Sequence, residues 1–354
     1  MTAALDATPL TLTSGGLARY VGELSLALAR AYPDDRYCLL SDQKFALPAA
    51  APENLIAVPG PSPYKRWWLQ GVRRAIARAG AELFHGTNFE VPWLADVPAI
   101  LTIHDLSPWR NPAWHAGAAR VRRRTPWLVR LERARMILTV SDAMRREILA
   151  HFKLPEERVR AIPLAASGLF RPITATELPK PAKPYFLFLG TLEPRKNLPA
   201  LVEAWRETRA QTGADLFIAG RTRDDFVPIP PAEGIQFLGE VPDDQLPTLL
   251  SGALAFVYPT SYEGFGLPVL EAMQCGCPVI TSRDPAVTEV SGGAAIHAAS
   301  VREMADALRC LAANPAQRHE MREKGLLRAT FFSWQRTAHE TRDLYREVLA
   351  GARS

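Results

Sequence analysis

Short apolar runs rich in β-branched and aromatic residues recur along this chain at intervals that leave room for a helix between them. In the first half, ELF (82–84), AILTI (99–103) and MILTV (136–140) read as buried strands, each ending at a polar or small residue. Helical patterns lie between and after them. Gly16 to Tyr32 spaces Leu17, Tyr20, Val21, Leu24 and Leu28 along one helical face. Thr125-Pro126 reads as an N-cap with proline at the first helical position, and Ser141 as the cap of a helix reaching His151. The second half repeats the alternation with YFLFLG (185–190), a helix from about 199 to 211, DLFIAG (215–220), IQFLG (235–239), LAFVYP (254–259), a short helix, PVITS (278–282) and further helices. Strands that are apolar throughout and separated by helices make parallel sheets covered on both faces.

Between the halves, Ser167 to Pro184 carries four prolines (Pro172, Pro179, Pro181, Pro184) and little apolar pattern. The expected architecture is α/β, with two Rossmann-like doubly wound domains, 1–168 and 185–330, joined by a linker at 169–184 and facing each other across a cleft. Ligands should gather at the carboxyl ends of the strands.

The chain has 354 residues, 47% hydrophobic and 22% charged, enough for two cores of ordinary size. It contains no run of eighteen apolar residues and no charged start followed by an apolar segment, which points to a cytoplasmic protein. Cys38, Cys275, Cys277 and Cys310 are too few and too irregular for a disulfide framework or a structural zinc site. No D-x-D or H-E-x-x-H occurs, so no metal site is expected. The basic excess belongs to the first half: residues 1–168 hold 22 Lys and Arg against 15 Asp and Glu, and residues 169–354 hold 20 against 22. Arg110 to Arg135 contains eight arginines and one acid, Glu132, with Trp109, Trp114 and Trp127 nearby or interspersed. The pattern suits an anionic membrane surface, nucleic acid or a pyrophosphate-bearing partner, and equally a solvated helix face.

Several polar residues stand at expected strand ends. His85 and His104 close successive strands, where a histidine either hydrogen-bonds a ligand, transfers a proton or is a satisfied rim residue. Gly15-Gly16 directly precedes a helix, where glycines let a phosphate or sugar approach backbone N–H groups; the spacing is neither that of a dinucleotide fingerprint nor of a P-loop. Arg195 and Lys196, in GTLEPRKNLPAL (190–201), are adjacent cations after a strand and before a helix, a placement that suits a departing diphosphate. In YEGFGLPVLEAMQCGC, Leu267-Pro268 reads as a helix start and Gly276 as its stop. Glu271 then falls in the first turn, favoured there by the helix dipole. A phosphate on the N–H groups from about Phe265 to Leu270 would repel that carboxylate, which should face a neutral donor such as a ribose diol. Glu263 should face the cleft.

Together these segments resemble the retaining nucleotide-sugar glycosyltransferases of family 4, which have the GT-B fold. The likeness runs along nearly the whole chain, through the Gly-Gly loop, HDLSPW, ILTVSDAMRREI, GTLEPRKNL, FLGEVPDDQL and YEGFGLPVLEAMQCGCPVI, and is nearest in look to bacterial O-antigen and exopolysaccharide mannosyltransferases. The frame Glu263/Glu271 with GFGLP between is its most specific part. The resemblance implies that Glu271 holds the nucleotide ribose and Glu263 contacts the donor sugar. It further implies that the N–H groups of Gly264, Phe265, Gly266 and Leu267, with Arg195 and Lys196, hold the diphosphate. The Gly15-Gly16 loop would close over it, His104 would lie beside the transferred sugar, and backbone near Val241 would meet the base. Thr191 departs from many relatives, which carry a basic residue there; either one diphosphate contact is missing or Arg195 replaces it.

The resemblance implies a metal-independent hexosyltransferase with no cofactor beyond the donor substrate, GDP-mannose being favoured over a UDP-sugar or GDP-rhamnose. Its acceptor would be a glycan or a polyprenyl-diphosphate-linked saccharide. The helical segment 331–354 would cross back to brace the first domain, and the Arg/Trp-rich region would then face the acceptor and the inner membrane surface. A sugar-nucleotide epimerase, a phosphorylase, an inactive nucleotide-sugar-binding scaffold and a nucleic-acid binder are the rival readings. The last leaves the phosphate constellation unexplained.

Overall fold

The computed structural model describes all residues except 12–14, 49, 60–65, 175–182, 224 and 354. The linker prolines Pro179 and Pro181 lie outside the described residues. The chain divides into two compact units: Met1–Leu164 with Ser333–Ser354, and Ala165–Phe332. The second unit therefore begins earlier than the sequence suggests. Phe170 is buried, Gln274 Nε2 donates to the carbonyls of Ser167 and Phe170 at 2.9 and 2.7 Å, and the Ile173 N–H donates to Ser251 Oγ at 3.0 Å. The start of the expected linker is thus fastened to the second unit.

In the first unit β1 (Thr2–Asp6), β2 (Arg36–Ser41), β3 (Leu55–Pro59), β4 (Leu83–Gly86), β5 (Ala99–Thr102), β6 (Met136–Thr139) and β7 (Val159–Ala161) form a parallel sheet of order β3-β2-β1-β4-β5-β6-β7. β1 is central, with Leu5 aligned to Leu39 on one side and His85 on the other. The helix Gly16–Ala31 buries Tyr20, Val21, Leu24 and Leu28, as its spacing requires, and packs against the returning helix Trp334–Arg353. That helix is tied down by polar contacts as well: Thr337 Oγ1 donates to the Pro163 carbonyl at 2.7 Å, and Arg342 Nε to Asp35 Oδ2 at 2.6 Å.

Thr125-Pro126 does not start a helix. Both residues lie inside Ala119–Arg130. Proline removes the N–H that would bond the carbonyl four residues earlier, that of Arg122, and this carbonyl instead accepts Trp109 Nε1 at 3.4 Å. Thr125 Oγ1 donates to the Phe89 carbonyl at 2.9 Å, so its hydroxyl anchors the helix and does not cap it. Ser141 does cap Asp142–Phe152, accepting the Met144 N–H at 3.1 Å.

In the second unit β8 (Tyr185–Leu189), β9 (Asp215–Ala219), β10 (Ile235–Gly239), β11 (Ala255–Tyr258), β12 (Val279–Thr281) and β13 (Ala295–His297) form a parallel sheet of order β10-β9-β8-β11-β12-β13. Phe186, Phe188, Phe256 and Ile280 are fully buried under helices that include Leu198–Thr212, which buries Leu201 and Trp205. In each sheet the strand order reverses beside the first strand, between β1 and β4 and between β8 and β11. Loops leaving the carboxyl ends diverge at such a point and leave a crevice.

Candidate functional site

The crevice of the second unit starts from two glycines. Gly190, after β8, and Gly220, after β9, both have positive φ (152° and 139°). A Cβ on Gly220 would lie 1.9 Å from the Gly190 carbonyl oxygen, so the two backbones touch where no side chain fits. Beyond Gly190 the chain makes a tight turn at Pro194–Lys196 and enters the helix Leu198–Thr212 through Asn197 in the left-handed region. The Arg195 carbonyl then accepts the Ser261 N–H at 2.8 Å and Ser261 Oγ at 2.9 Å, joining this turn to the loop after β11.

That junction brings Arg195, Lys196 and Glu263 together. Glu263 Oε1 is in contact with Lys196 Nζ, lies 3.2 Å from Arg195 Nη1, and accepts from Tyr258 OH at 3.0 Å and Thr260 Oγ1 at 3.1 Å. Lys196 Nζ also donates to Tyr258 OH at 2.5 Å. Arg195 Nε lies 2.7 Å from Glu193 Oε1, whose other oxygen accepts Arg223 Nη1 at 2.6 Å. Burial works against the Glu263 charge, but Arg195 and Lys196 outweigh it and hold the carboxyl down at about 2. Burial and the neighbouring Arg195 push the Lys196 ammonium below the ordinary lysine value, with Glu263 opposing them. Tyr258 is pushed well above its usual value by burial and by Glu263, so it stays a neutral donor. Glu263 and Lys196 are almost completely buried. Glu263 therefore pairs with both cations from within the loop, sharing Arg195 with Glu193, where the sequence pointed it outward.

The Gly-Phe-Gly-Leu-Pro turn follows directly. Gly266 has φ 93° and begins the helix Leu267–Gln274, and a Cβ there would meet Val287 Cγ2 at 3.0 Å. Among the described residues no backbone acceptor takes the N–H groups of Phe265, Gly266 or Leu267, whereas Val269 already bonds the Gly266 carbonyl at 2.9 Å and Leu270 does so at 3.4 Å. The donor row is thus shorter than the stretch to Leu270 expected from sequence. Glu271 is the fifth residue of this helix, in its second turn, and is 1% exposed. Stabilisation by the first-turn dipole does not account for it. Gly276, at φ 70°, ends the helix as expected, its N–H bonding the Met273 carbonyl at 2.9 Å. Val241 lies in the loop after β10, half-buried.

Four contributors went unread in the sequence. Tyr258 ends an apolar run and resembled core; its position at the strand's carboxyl end was the available signal. Glu193 sits inside GTLEPRKN, and Thr260 lies within the loop already singled out. Asp284 caps the helix Pro285–Ser291 and accepts the Glu263 N–H at 3.3 Å, fixing that backbone from a separate loop.

In the first unit His104 follows β5 and its Nε2 lies 2.8 Å from the Thr87 carbonyl. A carbonyl only accepts, so Nε2 carries the proton and Nδ1 the lone pair. Burial lowers its pKa, so the ring is neutral near pH 7. Tyr20, from the helix opened by exposed Gly15 and Gly16, meets it edge-on with centroids 4.8 Å apart. Gly15 offers that helix no side-chain cap. His85 is no rim residue: it is fully buried, with Nδ1 2.6 Å from Tyr345 OH and Nε2 2.6 Å from Thr102 Oγ1. It fastens the returning helix to the sheet. The arginine-rich segment divides too, since Arg120 and Arg124 turn toward buried Glu90, while Trp127 and Leu131 are exposed. Among the described residues no group of three or more His, Cys, Asp or Glu could hold a metal ion, and no helix is long and apolar enough to cross a membrane.

Residues 14–166 match a family model described as Glycosyltransferase Family 4, and residues 171–328 one described as Glycosyl transferases group 1. The O-antigen chain mannosyltransferase B of Escherichia coli is 37% identical over 285 residues, which cover 75% of this chain and 74% of that protein. Among solved structures, the sucrose-phosphate synthase of Thermosynechococcus elongatus superposes with a TM-score of 0.74 at 20% identity, covering 99% of both chains. WaaG, a glycosyltransferase involved in lipopolysaccharide biosynthesis, superposes with a TM-score of 0.68 at 16% identity, covering 97% of this chain and 99% of its own.

Proposed function

Since this chain belongs to the glycosyltransferases whose two halves match the family 4 and group 1 models, we propose that it transfers mannose from GDP-mannose to a growing surface polysaccharide. The observation that carries this reading is the cluster of Arg195, Lys196 and Glu263 at the β8/β11 switch point, beside the N–H groups that open the helix Leu267–Gln274. The mannosyltransferase relative supports the choice of sugar.

The chemistry follows from charge. As the bond between the anomeric carbon and the phosphate oxygen breaks, the sugar becomes oxocarbenium-like and the diphosphate gains negative charge. Arg195, Lys196 and the N–H groups of Gly264 to Leu267 stabilise that charge in a largely dehydrated loop. The diphosphate shares the cations with Glu263, whose carboxylate is then available to the donor sugar. Glu271 takes the ribose hydroxyls, and backbone near Val241 meets the base. The acceptor hydroxyl attacks the face the diphosphate is leaving, a phosphate oxygen takes its proton, and the configuration is retained. His104 is assigned a place beside the sugar as a neutral hydrogen-bonding group. Two cations and a helix start supply the charge for which other transferases use a metal, so activity should survive chelation. Exposed Trp127 and Leu131, with Arg130 5.8 Å from the Trp127 ring centroid, support contact with an anionic membrane surface.

The test is calorimetric titration with GDP-, UDP- and ADP-sugars, followed by GDP release from GDP-mannose with a lipid-linked mannoside acceptor in EDTA. GDP-mannose should bind most tightly, and Glu271→Ala should weaken GDP binding at least ten-fold. Absence of binding to every nucleotide sugar would refute the donor assignment, and loss of turnover in EDTA the metal-free mechanism.

A further inference from the structure

The Gly-Phe-Gly turn has little backbone bonding of its own to hold it in shape. Gly264 and Gly266 flank Phe265, Gly266 lies in the left-handed region, and the N–H groups of Phe265, Gly266 and Leu267 find no backbone acceptor among the described residues. The one side chain between the glycines is that of Phe265, which is 5% exposed. Its ring meets that of Phe332 edge-on, with centroids 5.9 Å apart and planes at 84°. Phe332 is the last residue of the second unit, and the chain returns to the first at Ser333.

Phe332 is itself held. Its N–H donates to the Ala329 carbonyl at 3.1 Å, in the turn that ends the helix Pro315–Ala329. The Arg328 guanidinium stands over its ring, 5.0 Å from the centroid. From there Arg328 Nε donates to the Val290 carbonyl at 2.9 Å and Nη2 to the Glu289 carbonyl at 2.7 Å, near the end of the helix Pro285–Ser291. A cation is favoured among the carbonyls that end a helix. The same short helix reaches the turn directly: its cap Asp284 accepts the Glu263 N–H, and Val287 is the side chain a Cβ on Gly266 would meet. Asp284 and Val287 thus hold the backbone at Glu263 and Gly266, and Phe332, fixed by Arg328, holds the ring between those two points.

An aromatic pair elsewhere in a core adds to stability alone. Here the ring belongs to a residue whose own N–H is one of the free donors, so releasing it frees the donors as well. We infer that Phe332, backed by Arg328, is a positioning residue for the donor diphosphate: it fixes the Phe265 side chain and with it the direction of the N–H row. The inference rests on the transferase reading for the ligand of that row. A turn ordered before the ligand arrives spares the complex that cost, and ordering one loosened residue on binding corresponds to about ten-fold in affinity.

The full chain and its variants are titrated calorimetrically with GDP and inorganic pyrophosphate, and with guanosine by ligand-detected NMR. Phe332→Ala should weaken GDP and pyrophosphate at least five-fold and guanosine less than two-fold, because guanosine makes no use of the N–H row. Phe332→Tyr, which keeps the ring, should stay within two-fold of wild type for all three. Arg328→Met keeps an unbranched stem over Phe332 but loses both bonds to the helix Pro285–Ser291, and should show the Phe332→Ala pattern at three-fold or more. Should the alanine variant fail to fold, Phe332→Leu, which keeps apolar bulk without the ring edge, should show that pattern at three-fold or more. A smaller fall, or one that guanosine shares, overturns the inference, as does a Phe332→Tyr variant no better than Phe332→Ala; a merely structural role would lower the melting temperature and leave the ratio of GDP to guanosine affinity where it was. Wild type that binds pyrophosphate but not GDP would refute the donor assignment and leave this inference standing, whereas GDP binding untouched in Phe332→Ala would do the reverse. Binding of neither would overturn both.

Discussion

Burial alone would make Glu263 a neutral acid, yet Lys196 in contact and Arg195 at 3.2 Å keep it ionised. Replacing it with glutamine preserves size but leaves two buried cations short of a counter-charge, which costs about 3 kcal/mol. Glu263→Gln should therefore melt at lower temperature near pH 7 and lose at least a hundred-fold in transfer rate. The pH dependence has a definite sign. The folded-state value, about 2, lies below the ordinary 4.5, so the stabilisation is complete above about pH 4.5 and is lost as pH falls toward 2. The difference in melting temperature between wild type and Glu263→Gln should shrink from pH 7 to pH 3, and an equal difference at both would contradict this account. Sequence spacing was sufficient to single out Glu263, Glu271, Arg195 and Lys196. It could not reveal that Glu263 pairs with both cations, because the contact with Lys196 spans 67 residues and depends on how two loops meet.

At the scale of elements, the strands rich in Ile, Leu and Phe, such as Ala99–Thr102 and Tyr185–Leu189, were legible because short runs that are apolar throughout suit a doubly covered sheet. β1, TAALD, was not: its alanines and leucine are good helix formers, and only the neighbours β2 and β4 make it a central strand. Pro126 misled in the other direction, since the Trp109 indole compensates for the bond it removes. The sharpest constraint on an element is the contact of β8 and β9 at their carboxyl ends. Gly220→Ala would thrust a methyl group to 1.9 Å from the Gly190 oxygen and force those ends apart. We expect a stability loss of about 3 kcal/mol or more, at the upper end for one substitution, with GDP affinity falling in parallel. Chemical denaturation and calorimetry would check both, and a variant as stable as wild type would refute the close approach.

For the molecule as a whole, the first unit is built from two stretches of chain, Met1–Leu164 and Ser333–Ser354. Tyr345 on the second bonds His85, and Arg342 reaches Asp35, so the returning helix completes a core it does not adjoin in sequence. Removing residues 333–354 should lower the melting transition of the first unit by at least 10 °C and leave that of the second within about 2 °C, as followed by scanning calorimetry. A single transition shifted as one would argue against separate units. Sequence reading anticipated a returning helix through resemblance, but nothing in FFSWQRTAHETRDLYREVL indicates its partners, since a helix's apolar face does not say which sheet it will meet. The divided first unit also has a consequence for the order of events on the ribosome. Domains usually mature in the order in which they emerge, amino-terminal first. Here the segment synthesised first must wait, its buried histidine still without its tyrosine, until the intervening 168 residues of Ala165–Phe332 have been translated, so the unit that begins later is free to finish earlier.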